Sequence, residues 1–399
     1  MKILWLALGI FAANILVAEN LQSTQWPVEN GLRPKAISNG VRPLNIRERM
    51  AYYQVPAVSL AVVNEGQIEW AKGYGHITRD PNSPPVDTHT LFQAGSISKP
   101  VTAFGALLLV QQGRIALDED VNRYLIRWKI PENAFTQTEK VSLRRLLSHT
   151  AGINIHGFGG YDRQDPLPTL IDILIGRKPL VRTPPVKVVS TPGTVFKYSG
   201  GGYLIVQLLI EDITGEPFDV WMQNNVLNPL GMTESTFKQP LPPPYAAQAA
   251  HGYNRNDAPV PGGWHHYPQM APGGLWTTPR DLAKLMVYIQ SALRNENAQL
   301  LHTRFVRAML TRQPVGNTTC NYGLGFALQN DGENLVFSHN GKVDGFIANF
   351  YGYAYRGQGL VIMLNSVNGK ILRNEITNSV ADAYNWPNFQ PVEIENLYE

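Results

Sequence analysis

The sequence predicts a mixed α/β protein of the α+β kind: an antiparallel β-sheet built from both chain ends, flanked by helices, plus a mostly helical lobe. Three observations predict it. Apolar runs of strand length open the chain at 57–63 and 67–74 and return after about residue 322. Longer runs with helical periodicity occupy the middle. The 399 residues are 44% hydrophobic and 16% charged, enough apolar material for a large core.

Met1 to Ala18 reads as a secretory signal, with Lys2 followed by an apolar stretch, Ile3 to Val17, too short to span a bilayer comfortably. Cleavage after Ala18 is expected, so the protein is expected to be exported, periplasmic or secreted. Membrane attachment would come only from an uncleaved segment. Residues 19–44 form a lead-in, and 45–390 one domain. Its sheet lobe covers about 45–90 and 315–390, and its helical lobe about 91–314.

The first two strands, 57–63 and 67–74, are joined by Asn64-Glu65-Gly66, a sequence suited to a hairpin turn. An apolar helix follows from about Thr102 to Gln112, stopped by Gly113. Further helices are expected at 141–148, 201–214 and 279–293. Strands return at Gly323–Gln329, Leu335–Ser338, Phe346–Tyr351 and Leu360–Leu364, with a closing helix near 370–385. The Pro-rich stretches 179–193 and 239–272 read as ordered loops or lids, because aromatic residues flank them. Two interleaved lobes place a cleft where they meet.

Charge and composition narrow the function classes. The 34 Lys and Arg balance 31 Asp and Glu without a polybasic block, so nucleic acid is not an expected partner. The single cysteine, Cys320, leaves no internal disulfide and reads as a small buried apolar residue. His265 and His266 are adjacent and would point apart, and no His-Glu-x-x-His or paired cysteines accompany them. No metal and no cofactor are expected. A Gly-x-Ser-x-Gly elbow and a Walker loop are both absent from the sequence.

The chemistry-bearing segment is Ser96-Ile97-Ser98-Lys99, just before the first long apolar helix. There Ser96 and Lys99 would share one face of the opening turn. A serine needs a base to lose its proton, and burial can lower a lysine pKa until it serves as one. The helix N-terminus would favour developing negative charge. The bland alternative is a helix cap formed by Ser96 or Ser98. A second copy, Ser235-Thr236-Phe237-Lys238, lies in a strand-like stretch where its ends would not share a face. It reads as structural.

Several segments in order resemble the serine β-lactamase-like and penicillin-binding-protein superfamily, in its branch of class C β-lactamases, D-amino-acid peptidases and esterases. They are Ser96–Lys99, Tyr198-Ser199-Gly200 and His339-Asn340-Gly341, flanked by Val55-Pro56-Ala57, Leu146–Gly152 and Gly273–Pro279. The resemblance covers about residues 45–385. It implies Ser96 as nucleophile, Lys99 and Tyr198 as proton-transfer groups, and His339 donating to Tyr198 or to a substrate carboxylate. It also implies an oxyanion hole from the N–H groups of Ser96 and Lys342 beside Gly341 and Asn340. Tyr267 and the stretch Gly157–Tyr161 would border the cleft, while His149 reads as part of a structural turn.

Two departures bear on substrate. Gly200 stands where β-lactamases of this branch usually carry Asn, and His339 where they usually carry Lys. Efficient β-lactam hydrolysis is therefore not expected. The expected activity is acyl-enzyme hydrolysis of an amide or ester in a small-molecule or peptide substrate, of D-amino-acid or peptidoglycan type. An esterase or class C-like β-lactamase is the alternative, and a non-catalytic envelope binding protein the third reading.

Overall fold

The computed structural model describes residues 24–33, 43–294 and 298–391. The expected signal segment 1–18 and part of the 19–44 lead-in lie outside the described residues. Helix α1 (Ile46–Tyr52) starts at a reciprocal cap: Asn45 accepts the Arg47 N–H, and Glu48 accepts the Asn45 N–H. It feeds strands β1 (Ala57–Asn64) and β2 (Gln67–Gly75), joined by a two-residue turn with Glu65 at φ 52° and Gly66 at φ 75°. Positive φ at both positions matches the right-handed twist of the flanking strands.

The remaining strands of the main sheet come from the other end of the chain: β3 (Ala327–Gln329), β4 (Val336–Val343), β5 (Phe346–Tyr353) and β6 (Gly359–Leu364). The order is β2-β1-β6-β5-β4-β3, antiparallel throughout, with Val58 opposite Leu364 where the two chain ends meet. Both faces of the central strands are covered. Val58, Leu60 and Val62 pack with Leu372, Ile376 and Val380 of helix α5 (Lys370–Ala383). Ala57, Ala61 and Val63 belong to the larger cluster, with Leu282, Leu285 and Met286 of α4 (Pro279–Arg294). Two-sided burial is why β1 and β6 read as near-continuous apolar runs. A bidentate pair between Arg49 and the fully buried Glu375, at 2.6 and 2.8 Å, fastens α1 to α5.

In sequence, the helical lobe lies between the two halves of the sheet. Helix α2 (Ser98–Gln111) is buried from Ser98 through Leu109, so its apolar residues surround it rather than forming a stripe. Helix α3 (Gly200–Thr214) is capped by Ser199, whose hydroxyl accepts the Gly202 N–H at 3.0 Å, and it ends at left-handed Gly215.

Three elements differ from the sequence expectation. The strand expected at 335–338 continues to Val343, because the tight turn at Asp344-Gly345 (Gly345 φ 84°) folds even its polar second half back onto β5. The strand expected at 323–329 is confined to 327–329, since Gly325 at φ 99° turns the chain and Gly323 N–H bonds to Phe326. The helix expected at 141–148 covers only Leu143–Leu147, ended by His149 at φ 61°.

Strand β4 is paired on both sides only up to Ser338, which sits opposite Ala327 of β3. From His339 onward its outer edge faces the turn that carries Ser96. Among the described residues no helix is long and apolar enough to cross a membrane, and no group of three or more His, Cys, Asp or Glu is arranged to hold a metal ion.

Candidate active site

Ser96 sits in a short 3-10 turn, Gly95–Ile97, that runs directly into α2. Neither the turn nor the helix uses a side-chain cap. Ser98 is occupied elsewhere: its hydroxyl donates to the Gly95 carbonyl at 2.6 Å and accepts the Leu275 N–H at 3.0 Å. The capping alternative therefore fails for Ser96, whose hydroxyl borders a cavity of ≈ 540 Å³.

Lys99 Nζ lies 3.0 Å from Ser96 Oγ and donates to the Pro272 carbonyl at 2.8 Å. The residue is 2% exposed, and among the described residues no carboxylate pairs with it. An ammonium deprived of water and of a counter-charge loses its proton more readily, and burial lowers the Lys99 pKa to about 7. At neutral pH a large share of Lys99 is a free amine beside the serine.

Tyr198 immediately precedes the Ser199 cap of α3. Its ring lies under Lys99 Nζ, 5.0 Å from the centroid. Burial raises the phenol pKa, and the hydrogen bond with Ser96 draws it partly back. Two histidines hold the ring: His149 at 4.2 Å between centroids and His156 at 4.8 Å. His149 also accepts the Ser199 N–H through Nδ1 at 3.1 Å, which fixes the residue next to Tyr198. The segment read from sequence as a structural turn thus supports the tyrosine directly.

The open edge of β4 forms another wall. An ideal Cβ at Gly341 would stand 2.0 Å from the Ala94 carbonyl, and one at Gly95 would stand 2.8 Å from the Lys342 nitrogen. Only glycine at both positions lets strand and turn approach this closely. Lys342 opposes Ile347, one step from the turn-closing pair Val343 and Phe346, so the antiparallel alternation directs its N–H away from β5. The N–H groups of Ser96 and Lys342 therefore come from two segments held in contact.

His339 corrects one expectation. Its Nδ1 lies 2.7 Å from the Asn340 carbonyl, which can only accept, so that nitrogen carries the proton. Burial, and then the charge of Lys99, lower its pKa to about 3. Its Nε2 is buried without a hydrogen-bond partner among the described residues and is left as an acceptor. His339 is not arranged to donate to a substrate carboxylate or to Tyr198.

The other expected residues are also at the cavity. Tyr267 is buried, with its hydroxyl accepting the Asp344 N–H at 3.3 Å. Asn340 is exposed and its Oδ1 accepts from Arg373 at 3.3 Å. Gly157 and Phe158 line the cavity, whereas Tyr161 bonds through its backbone to His266. Sequence reasoning left His149 outside the site as a structural turn and did not single out His156, Tyr322 or Arg373. Arg373 had no local signal at all: it reaches Asn340 from α5, and among the described residues no carboxylate neutralises it. Burial lowers its pKa to about 10.

The second Ser-x-x-Lys copy is built otherwise. Ser235 donates to the Asp281 carboxylate at 2.8 Å and meets Thr277 Oγ1 at 2.7 Å, while Lys238 lies at the surface, 3.7 Å from Asp219. The sequence expectation of a structural role fits these contacts. Cys320 is buried, with its thiol near the carbonyls of Gln313 and Tyr322.

With the geometry in view, the sequence can be set beside known proteins. A family model described as Beta-lactamase matches residues 44–383. The chain belongs to the beta-lactamase family. Protein flp of Staphylococcus aureus (strain N315) is 26% identical over 322 residues, covering 78% of this chain and 60% of that protein. The chain therefore spans about three-fifths of that relative's length. Among solved structures, the octameric penicillin-binding protein homologue from Pyrococcus abyssi superposes with TM-score 0.68 at 24% identity, over 85% of this chain and 76% of that one. The D-amino acid amidase from Ochrobactrum anthropi SV3, solved with D-phenylalanine, gives TM-score 0.67 at 22% identity, over 85% and 97%. At these identities the likeness concerns the fold, an α+β architecture of the β-lactamase and transpeptidase type.

Proposed function

We propose that this protein is an exported serine hydrolase acting through an acyl-enzyme on Ser96, with an amide or ester of a D-amino acid or short peptide as substrate. The observation that carries the reading is Lys99, a buried lysine without a carboxylate partner among the described residues, 3.0 Å from Ser96 Oγ and with its pKa lowered to about 7. A structural lysine buried without a counter-charge would be a pure cost to folding, whereas a base needs this depressed pKa.

In the proposed reaction the Ser96 hydroxyl proton passes to the Lys99 amine, and Oγ bonds to the substrate carbonyl carbon. The oxyanion takes hydrogen bonds from the Ser96 and Lys342 N–H groups. Tyr198 then hands a proton to the departing amine or alcohol and is reprotonated through Lys99. Water repeats the sequence on the ester, regenerating Ser96. Peptide-like substrates are supported by Arg373, which donates to the cavity residue Asn340 and has no carboxylate partner among the described residues, with the charges of Lys342 and Lys370 close by, a set that suits a terminal carboxylate. The amidase likeness supports the same class. Gly200, which offers no side-chain amide to an acylamino group, favours an esterase as the second reading over a β-lactamase.

The test is covalent labelling of the purified protein and of Ser96→Ala, first with a fluorescent penicillin and then with a fluorophosphonate, followed by intact mass over time. A stable penicillin adduct on wild type alone indicates a penicillin-binding peptidase, and rapid formation and loss a β-lactamase. Labelling by the fluorophosphonate alone favours the esterase or amidase. Silence toward both would leave a binding protein and end the enzyme proposal.

A further inference from the structure

Outside the proton path, His265 lies where three walls of the Ser96 cavity converge. Its own segment continues into Tyr267 and Gln269, both on the cavity. Its Nε2 lies 2.8 Å from Oδ1 of Asp162, which follows the loop carrying Gly157 and Phe158. Its Nδ1 lies 3.3 Å from Oδ2 of Asp344, in the turn that follows Lys342 and Val343 of β4. The second contact is an ion-pair distance without an aligned hydrogen bond. Among the described residues neither carboxylate has a Lys or Arg ion-pair partner.

Backbone contacts bring the three segments to the ring. The Tyr161 N–H donates to the His266 carbonyl at 2.9 Å, and the His266 N–H to the Tyr161 carbonyl at 2.8 Å. A Cβ at Gly160 would stand 2.3 Å from that of His265, so glycine lets the loop cross the histidine. Gln93 donates to the His265 carbonyl at 2.8 Å. The His265 side chain is 15% exposed, whereas both carboxylates reach solvent. Its contact, opposed by burial and reinforced by its charge and that of Lys342, holds the Asp344 carboxyl below its ordinary value. The other charged or titratable neighbours are His266, its pKa lowered by burial, and Arg163, which lies over the Trp264 ring and donates to the Gly262 carbonyl.

A neutral imidazole has one N–H, so it can donate to one carboxylate and must turn a lone pair toward the other. The imidazolium donates to both. When the ring loses its proton, two negative charges are left facing each other without the positive one between them, and the contact that survives loses its charge assistance. Asp344 is fixed by the β4–β5 hairpin. The loop bearing Asp162 is held beside His265 by the Tyr161–His266 bridge alone.

We infer that Asp162, His265 and Asp344 form a proton-operated latch on the cavity wall, closed while His265 is an imidazolium and released at the Asp162 loop when it becomes neutral. Release widens the room beside Phe158 and Tyr267 for a longer substrate. The same rise in pH frees the Lys99 amine, so the cavity opens as its proposed base becomes available. The latch concerns the walls and stands independently of an acyl-enzyme at Ser96.

The experiment is amide hydrogen exchange by mass spectrometry on the full protein at about pH 5.5 and about pH 8, either side of the range in which imidazoles titrate. Rates are corrected for the intrinsic effect of pH. Protection of residues 157–166 in wild type is expected to fall by about threefold or more at the higher pH, the effect of losing a partly exposed ion pair. His265→Gln, neutral at both, should show the lower protection at both. Asp162→Asn should also remove the pH dependence, and it is read in place of His265→Gln if that variant does not fold. Equal protection at the two pH values in wild type, or a pH dependence that survives in the variant, overturns the latch.

Discussion

Ser96–Lys99 and Ser235–Lys238 carry the same four-residue pattern and have opposite physical fates. At the first, the serine hydroxyl meets an amine and a phenol, and the lysine is buried without a counter-charge among the described residues. At the second, the serine is bound to the Asp281 carboxylate, and the lysine is in solvent near Asp219. The difference teaches that the motif suits the proposed chemistry only where a helix start brings both ends together and, among the described residues, no carboxylate reaches the lysine. In the second copy the carboxylate is present, and the serine is a structural donor.

The contrast can be broken most directly at the nucleophiles. Ser96→Ala should lower acyl transfer by about 10⁴-fold or more and abolish the covalent adduct, whereas Ser235→Ala should still form it, as intact mass would show. Equal losses from both would end the distinction. Next comes the proton path, where Tyr198→Phe should cost about 10²–10⁴-fold in kcat/KM. The pH profile of kcat/KM should rise through about pH 7 as Lys99 deprotonates. His339, with its pKa near 3, should contribute no inflection between pH 5 and 9.

Stability sharpens the comparison further. Lys99 has a folded pKa below its unfolded value of 10.5, so between about pH 7 and 10.5 the unfolded chain binds more protons and stability climbs with pH. Lys99→Met should therefore raise the melting temperature at pH 7, with the gain fading toward pH 10.5 while activity is lost. A destabilised Lys99→Met across that range would mean that the lysine is structural. The smallest effect is expected at Ser235→Ala, which strips a buried donor from Asp281 and should cost about 1–3 kcal/mol by denaturant titration, with turnover close to wild type.

Much of this was legible from residues alone. The strands at both ends and the helical middle follow from periodicity, and Ser96 with Lys99 from their spacing at a helix start, whereas Tyr198 and His339 were marked by the resemblance of ordered blocks to a known family. What sequence could not supply was tertiary. The supporting role of His149 depends on a left-handed backbone that turns its ring onto Tyr198, 49 positions away. The donor state of His339 is set by a carbonyl one residue on, which only coordinates reveal. Arg373 reaches Asn340 from the last helix, and no local pattern marks it. The polar stretch 339–343 hid its strand because hairpin geometry, not hydrophobicity, holds it on β5.

The pairing of β1 with β6 has a consequence for the life of the chain before it is complete. Ser96 lies in the first quarter of the sequence, but the edge of β4 that would cradle its oxyanion, and β6, which closes the sheet, come in the last fifth. A growing chain carries Ser96 long before that edge exists. Contacts so distant in sequence also close slowly. Synthesis order therefore leaves the serine without its proposed cradle until the final strands have locked against the first.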